Sequence, residues 1–279
     1  RERKVKLKYK PFKPNIEGIN TLDKISLEIL RNYIDWSPFF HAWELRGLYP
    51  KILDDHDKGK EAKKLFREAN KLLSKIIDND LLKARAVFGI VKAKSFNEKI
   101  EIVDHNIKFN FPRQLVDKGS TPNFCLADFI SSTQVDYIGL FAVTAGHGVD
   151  QMVSQFESDN DDYNSIMVKV LADRLAEATA EWLHEKIRKE IWGYSKNENY
   201  SIEELNREKF IGIRPAPGYP SCPDHKEKDK IWKILDVEKR IGVNLTESRA
   251  MFPTASVCGW YFGHPESRYF STLKNKKEL

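Results

Sequence analysis

Apolar residues recur at helical spacing in two early segments and then switch to alternation in the middle of the chain. Leu22, Ile25, Ile29, Leu30 and Tyr33 follow Thr21, a residue suited to capping a helix. They predict a helix that breaks at Asp35-Trp-Ser-Pro-Phe-Phe40, because the residue before a proline is pushed out of the α region. Within Lys60 to Asp78, Ala62, Leu65, Phe66, Ala69, Leu72, Leu73, Ile76 and Ile77 form one stripe, the mark of a core helix. The period becomes two at Ala86 to Val91, at Ile100 and Ile102, and at Ile107, Phe109 and Phe111. The Asp104-His-Asn106 break between the last two predicts a hairpin. Asp136 to Val143 reads as a further, more buried strand. Tyr163 to Trp192, rich in Ala, Leu, Glu, Lys and Arg, predicts the longest helix, and Ile231 to Ile241 a shorter one. Ser256 to Phe262 and Arg268 to Leu273 predict two late strands joined through Gly263-His-Pro265. Strands cluster between helices rather than alternating with them, so the fold class is α+β with a mainly antiparallel sheet.

With 279 residues, of which 41% are hydrophobic and 31% charged, the chain can bury a substantial core. Its longest nearly uncharged apolar stretch, Ile138 to Gly146, is far shorter than the roughly 20 residues of a membrane span. The chain starts at Arg1 and has no apolar stretch of signal-peptide type behind its basic start, which reads as a piece of a longer cytoplasmic chain. Three cysteines, Cys125, Cys222 and Cys258, are odd in number and far apart, as expected of reduced thiols. The net charge of +5 suggests nucleic acid until it is located. Arg1 to Lys10 hold six basic residues against Glu2, leaving 40 basic and 40 acidic residues in the remainder. The body is neutral, the excess sits on a basic linker (residues 1–20), and no basic face for nucleic acid is evident.

Arg214-Pro-Ala-Pro-Gly-Tyr-Pro-Ser-Cys-Pro-Asp-His225 is the least ordinary stretch. Its four prolines fix φ and remove amide donors, so it is neither helix interior nor central strand but a stiff, extended rail. Such a rail presents carbonyls to a ligand's amino groups, Gly218 allows close backbone approach, and Arg214 offers a planar fork for a carboxylate or phosphate. A plain proline-rich surface loop remains the alternative. Asp173, Glu177 and Glu181 form an acidic stripe at i, i+4 and i+8 on the long helix, by default a solvated face, although its alanine-rich surroundings suggest close packing. Cys222-Pro-Asp-His225 has the spacing of half a metal site without an evident second half, and Gly146-His-Gly148 reads as a tight turn. No Ser or Cys nucleophile stands in a recognisable elbow.

Several of these segments occur together in one order: Asp35-Trp-Ser-Pro-Phe-Phe40, Cys125-Leu-Ala-Asp-Phe-Ile130, Asp162-Tyr163 through Met167-Val-Lys169, Ala172-Asp-Arg-Leu-Ala-Glu-Ala178, Gly212-Ile-Arg-Pro-Ala-Pro-Gly-Tyr-Pro220 and Leu245-Thr-Glu-Ser248. In this combination the chain closely resembles the C-terminal activation domain of cobalamin-dependent methionine synthase, from about Leu30 to Phe270. The resemblance implies one C-shaped α+β domain, residues 21–273, with a twisted antiparallel sheet flanked by helices, followed by a charged tail at 274–279. It implies that S-adenosylmethionine lies beside the rail, with Asp35 meeting its α-ammonium and Arg214 its carboxylate. Ala216, Gly218 and Tyr219 would hold the adenosine, Tyr269 and Phe270 would close the pocket near ribose and sulfonium, and Glu177 would lie close by. Phe270 stands where some relatives have a second tyrosine, and family members usually continue for several tens of residues beyond this pair.

By the same resemblance, the domain presents S-adenosylmethionine to cob(II)alamin while a flavodoxin or flavoprotein reductase supplies an electron. Methylcobalamin is thereby regenerated. By the resemblance, cobalamin is expected on another domain or chain. No catalytic acid, base or metal site is expected on this one, its work being positioning. Two rivals stand beside this reading. One is an S-adenosylmethionine-binding sensor or scaffold without corrinoid chemistry; the other is an ordinary methyltransferase, whose Gly-rich turn after a first strand is not found.

Overall fold

The alternating stretch around Val87 organises the molecule, because its side chains serve two cores at once. The computed structural model describes residues 9–115 and 122–272. Its first half contains β1 (Gly18–Ile25), α1 (Leu27–Arg31), α2 (Ser37–Ala42), α3 (Gly59–Asp78), β2 (Lys83–Phe96), β3 (Lys99–Ile102) and β4 (Ile107–Asn110). After these come β5 (Asp136–His147), α4 (Val149–Ser158), α5 (Asp162–Lys186), α6 (Ile202–Asn206), α7 (Glu227–Leu235), α8 (Val237–Ile241), β6 (Asn244–Leu245), β7 (Met251–Phe252) and β8 (Ser256–Tyr261).

One sheet runs in the order β4-β3-β2-β5-β8, with β1 also paired to β2, and every pair is antiparallel. The fourteen-residue β2 makes this possible: its first part lies between β1 (Gly18 opposite Ile90) and β5 (Phe88 opposite Phe141), and its far end pairs with β3 (Ala93 opposite Ile102). Since strand side chains alternate between faces, Ala84, Ala86, Phe88 and Ile90 point to one core and Val87, Val91 and Ala93 to the other. α1 to α5 cover the first face, through residues such as Leu30, Phe39, Leu73, Leu171 and Leu175. The second face is closed by Ile231 and Leu235 of α7, Val237 and Ile241 of α8, and the turn around Leu126 and Phe129. The expected fold class, α+β with a curled antiparallel sheet flanked by helices, is what the chain adopts.

The elements differ from expectation at four places. Leu22 and Ile25 lie in β1 rather than in a helix, and the helix starts only at Leu27, where the Ser26 side chain accepts from the Ile29 amide at 3.4 Å. Pairing with β2 outweighs a helical period sampled over so few residues. The chain does break at Asp35-Trp36, then resumes as α2 with Pro38 in its first turn, where a missing amide proton costs nothing. Ile231 to Ile241 is two helices, because Asp236 at φ 51° turns the backbone left-handed between them. The long helix ends at Lys186 and passes into a π turn over Ile187–Ile191. Finally, residues 268–272 form no strand; they run alongside the rail, where the Thr272 amide donates to the Pro220 carbonyl at 2.8 Å, while Leu273 and the charged tail fall outside the described residues. Gly148 is the tight turn anticipated, at φ 101° before α4.

Residues 9–17 of the lead-in run along the surface and are tied to it by specific bonds. The Ile16 amide donates to the Ile191 carbonyl at 3.0 Å, the Trp192 indole N–H to the Phe12 carbonyl at 2.8 Å, and the Asn15 side-chain amide to the Glu190 carbonyl at 2.8 Å. Tyr9 sets its ring 4.1 Å from that of His264 and donates its hydroxyl proton to Asp136. No helix among the described residues is long and apolar enough to cross a membrane.

Candidate ligand-binding site

The proline-rich rail lies along the outer edge of β8. Ile213 and Phe262 exchange two backbone hydrogen bonds of 3.1 Å, and the Trp260 amide donates to the Pro215 carbonyl at 3.0 Å. An edge position is where proline is tolerated, since only carbonyls are required of it. The approach is close: a β-carbon at Gly259 would overlap the Pro215 carbonyl. Beyond Pro217 the chain curls into a compact loop, with Gly218 N–H bonded to the Cys222 carbonyl at 2.8 Å, Cys222 N–H to the Tyr219 carbonyl at 2.8 Å, and Tyr219 N–H to the Ala216 carbonyl at 3.3 Å. Gly218 adopts φ 92°, and a side chain there would overlap the ring of His225. Thus the Cys222-Pro-Asp-His225 spacing serves the loop: His225 packs under Gly218, and burial pushes the Cys222 thiol up to about 12. Tyr219 at the loop's tip is 61% exposed.

From this rail the Arg214 side chain reaches back to α5, where Nη2 donates to Oε2 of Glu181 at 3.2 Å. Its backbone N–H donates to the Tyr269 hydroxyl at 2.9 Å. Nη1 is buried and has no hydrogen-bond partner among the described residues. Behind Glu181 stands Arg188, whose side chain is 0% exposed; its Nη1 lies 3.9 Å from Oε1 of Glu181. Arg188 Nε donates to both carboxylate oxygens of Glu198, at 2.9 and 3.0 Å, and its guanidinium sits 4.0 Å above the ring of Phe210. Glu198, Arg188, Glu181 and Arg214 therefore form one alternating chain of charges.

His184 and Tyr261 pack beside that chain. Their rings stack at 5.0 Å, and the far side of Tyr261 stacks on Phe141 at 4.5 Å. Neither nitrogen of His184 nor the Tyr261 hydroxyl has a hydrogen-bond partner among the described residues. Burial, reinforced by the neighbouring Arg188 and Arg214, holds His184 well below the usual histidine range, so it is neutral and adds no third cation. Burial likewise raises the Tyr261 hydroxyl well above its ordinary value.

The sequence-derived candidates divide into those gathered around Arg214 and those set apart. Glu177 is half-buried one turn before Glu181 and acts electrostatically on both Arg214 and Tyr219. Ala216 and Gly218 shape the loop, and Tyr269 leans on the rail through its hydroxyl, which burial raises to about 12. Asp35 occupies the joint between α1 and α2, where its Oδ1 accepts from the Ser37 amide at 3.0 Å. Phe270 points away from Tyr269, into the second core, with its ring 5.9 Å from Phe124 and 6.4 Å from Phe129. Asp173, at the outer end of the acidic stripe, is exposed, but Glu181 is not, so the stripe is a solvated face only in part.

Sequence reasoning did not single out Arg188, His184, Glu198 or Tyr261. A signal exists for the first two: Glu177, Glu181, His184 and Arg188 recur at intervals of four, three and four, on one side of a helix otherwise filled with alanine and leucine. Among the described residues no group of three or more His, Cys, Asp or Glu side chains is placed to hold a metal ion.

Comparison with known proteins bears on the family and the fold. Residues 26–278 match the family model described as the activation domain of vitamin B12-dependent methionine synthase. A crystal structure of the MetH reactivation domain bound to AdoHcy superposes with a TM-score of 0.91 at 50% sequence identity, over 95% of this chain and 84% of that one. From the match of the family model across nine-tenths of its residues, and from the shared fold, the chain belongs to the family of activation domains of vitamin B12-dependent methionine synthase.

Proposed function

We propose that this chain binds S-adenosylmethionine along the Arg214–Tyr219 rail and presents its methyl group to a corrinoid carried by the companion cobalamin domain, restoring methionine synthase after oxidation to the cob(II) state. The observation that supports this most directly is Arg214: a guanidinium whose Nη2 is anchored to Glu181 while its buried Nη1 has no hydrogen-bond partner among the described residues. Such a group takes a carboxylate strongly, because both sides of the hydrogen bond are charged and water is largely kept out. The crystal structure of the related reactivation domain holds AdoHcy, the thioether left when S-adenosylmethionine loses its methyl group.

In this assignment Arg214 meets the ligand carboxylate, and Asp35, with Glu177 nearby, balances the α-ammonium. Carbonyls and amides of the loop from Ala216 to Tyr219 accommodate the adenosine, and Tyr269 lies by the ribose and sulfonium, where an aromatic face favours the positive sulfur. Phe270 packs in the second core against Phe124 and Phe129, beside Tyr269 in the chain. When bound on the companion domain, a corrinoid reduced by one electron would supply the methyl acceptor, and the residues of this chain would hold S-adenosylmethionine with its methyl group facing it. The chain contributes binding, orientation and charge, and transfers no methyl group by itself. The electron comes from a flavodoxin or flavoprotein reductase in the cytoplasm.

The test combines the chain, a cobalamin-loaded companion domain in the cob(II) state, a one-electron donor and S-adenosylmethionine. Methylcobalamin should then appear in the corrinoid absorption spectrum, and omission of the chain should abolish it. S-adenosylmethionine binding without corrinoid methylation would leave a sensor module as the function.

A further inference from the structure

We propose that Glu181 is the positioning residue for Arg214: it holds the guanidinium so that Nη1 is the donor offered to the amino-acid head of the ligand. The inference rests on the assignment of the rail as the S-adenosylmethionine site, and adds a residue to it that touches no ligand. Arg214 alone is poorly determined. It has four rotatable side-chain bonds, and it projects from a proline-rich segment that offers its head no hydrogen bond. A long cationic side chain that must be ordered by its ligand pays for that ordering in affinity, whereas one already fixed does not.

Three features fix it from behind. Glu181 takes Nη2 at 3.2 Å through one oxygen, Oε2, which leaves the opposite edge of the guanidinium free for a second carboxylate. Its other oxygen faces Arg188 at 3.9 Å, so Glu181 is itself drawn inward and not free to swing toward solvent. Arg188, fully buried, is clamped in turn by Glu198 and by the face of Phe210. Glu181, His184 and Arg188 sit on the α5 helix and its π-turn extension, with Ala178, Ala180 and Leu183 buried along the same segment. The neutral His184 ring stacks on Tyr261 and adds no charge beside the two guanidiniums.

Two ligands separate positioning from mere stability. S-adenosylhomocysteine carries the amino-acid head that Arg214 would bind; 5′-methylthioadenosine shares the adenosine and thioether but lacks that head. In calorimetric titration of the 279-residue chain, Glu181→Gln should weaken S-adenosylhomocysteine about tenfold and leave 5′-methylthioadenosine within about twofold. In an Arg214→Ala background, the same substitution should have no further effect on S-adenosylhomocysteine, because there is no guanidinium left to hold. Retained 5′-methylthioadenosine binding reports that the variant is folded. Should Glu181→Gln bind neither ligand, Glu181→Asp is used instead; it keeps a charge for Arg188 but is one methylene too short for Arg214, and it should show the same split. Equal weakening of both ligands, an unchanged or tightened S-adenosylhomocysteine affinity, or additivity with Arg214→Ala would overturn the assignment. Failure of the unaltered chain to bind either ligand would instead overturn the functional reading itself.

Discussion

Arg214 is tied to its surroundings at two points, its backbone amide by Tyr269 and its side chain by Glu181, and its buried Nη1 has no hydrogen-bond partner among the described residues. Removing the side chain by Arg214→Ala should cost the charge-assisted bond to a ligand carboxylate, about 1.5–3 kcal/mol, and so weaken S-adenosylmethionine roughly 10- to 150-fold in calorimetric titration. His184 offers a second test at this scale. Its ring is buried and held neutral in the folded protein but takes up a proton near its ordinary value of 6.5 when the chain unfolds. Below that pH the unfolded state binds the extra proton, so stability rises with pH there and is lost as pH falls, by about 1.4 kcal/mol per unit. Urea unfolding from about pH 7 down to about pH 5 should show this slope. His184→Phe, which preserves the stacking on Tyr261, should remove the part due to His184 while leaving that of other groups. An unchanged slope would mean that His184 is hydrated and protonated in the native protein.

Among elements, the rail behaves as an extra edge strand made of residues that cannot donate, and its seat on β8 depends on Gly259. Gly259→Ala would press a methyl group into the Pro215 carbonyl, so the rail must lift or β8 must bend. We expect a loss of about 1–3 kcal/mol of unfolding free energy, as for other overpacked contacts, together with loss of ligand affinity. Unaltered affinity would show that the rail's position does not set the site. The stripe of α3 and the alternation of β2, β3 and β4 were legible in the sequence because each is long or regular enough to show its period. The helix read across Leu22 and Ile25 was not correctly legible, since two apolar residues three apart match the helical period, and only a register shift between them in the pairing with β2 brings both to the first core. Asp236 is likewise invisible: nothing in Ile231 to Ile241 announces a left-handed residue that is not glycine. The rail itself stood out because four prolines exclude every regular element, but its partner Glu181 looked like one more charge on a helix face.

At the scale of the molecule, one sheet separates two cores, and the site lies where a residue chain from α5 in the first core meets the rail on the edge of β8 in the second. The distribution of charge shows a neutral body with a basic lead-in, and that lead-in reads in the sequence as a linker, a solvated run of basic residues. Its described part is attached instead through groups that periodicity cannot reveal, chiefly main-chain carbonyls and amides: Phe12 to the Trp192 indole, Ile16 to Ile191, and the Glu190 carbonyl to Asn15. These bonds all close over the π turn and the residues that follow it, downstream of Arg188 on the same stretch of chain. Deleting residues 1–17 should therefore do more than shorten the protein. The indole N–H of the buried Trp192 would lose its acceptor, and with the other bonds to Asn15, Ile16 and Tyr9 the loss should total about 2–4 kcal/mol in urea unfolding. A passive linker would leave the unfolding midpoint unmoved. Trp192→Phe in the full chain should reproduce part of the effect, about 1 kcal/mol, and have little further consequence in the shortened chain, since both changes remove the same bond. Full additivity of the two would show that the lead-in stabilises the fold elsewhere than at the π turn, leaving the Arg188 end of the charge chain supported by α5 alone.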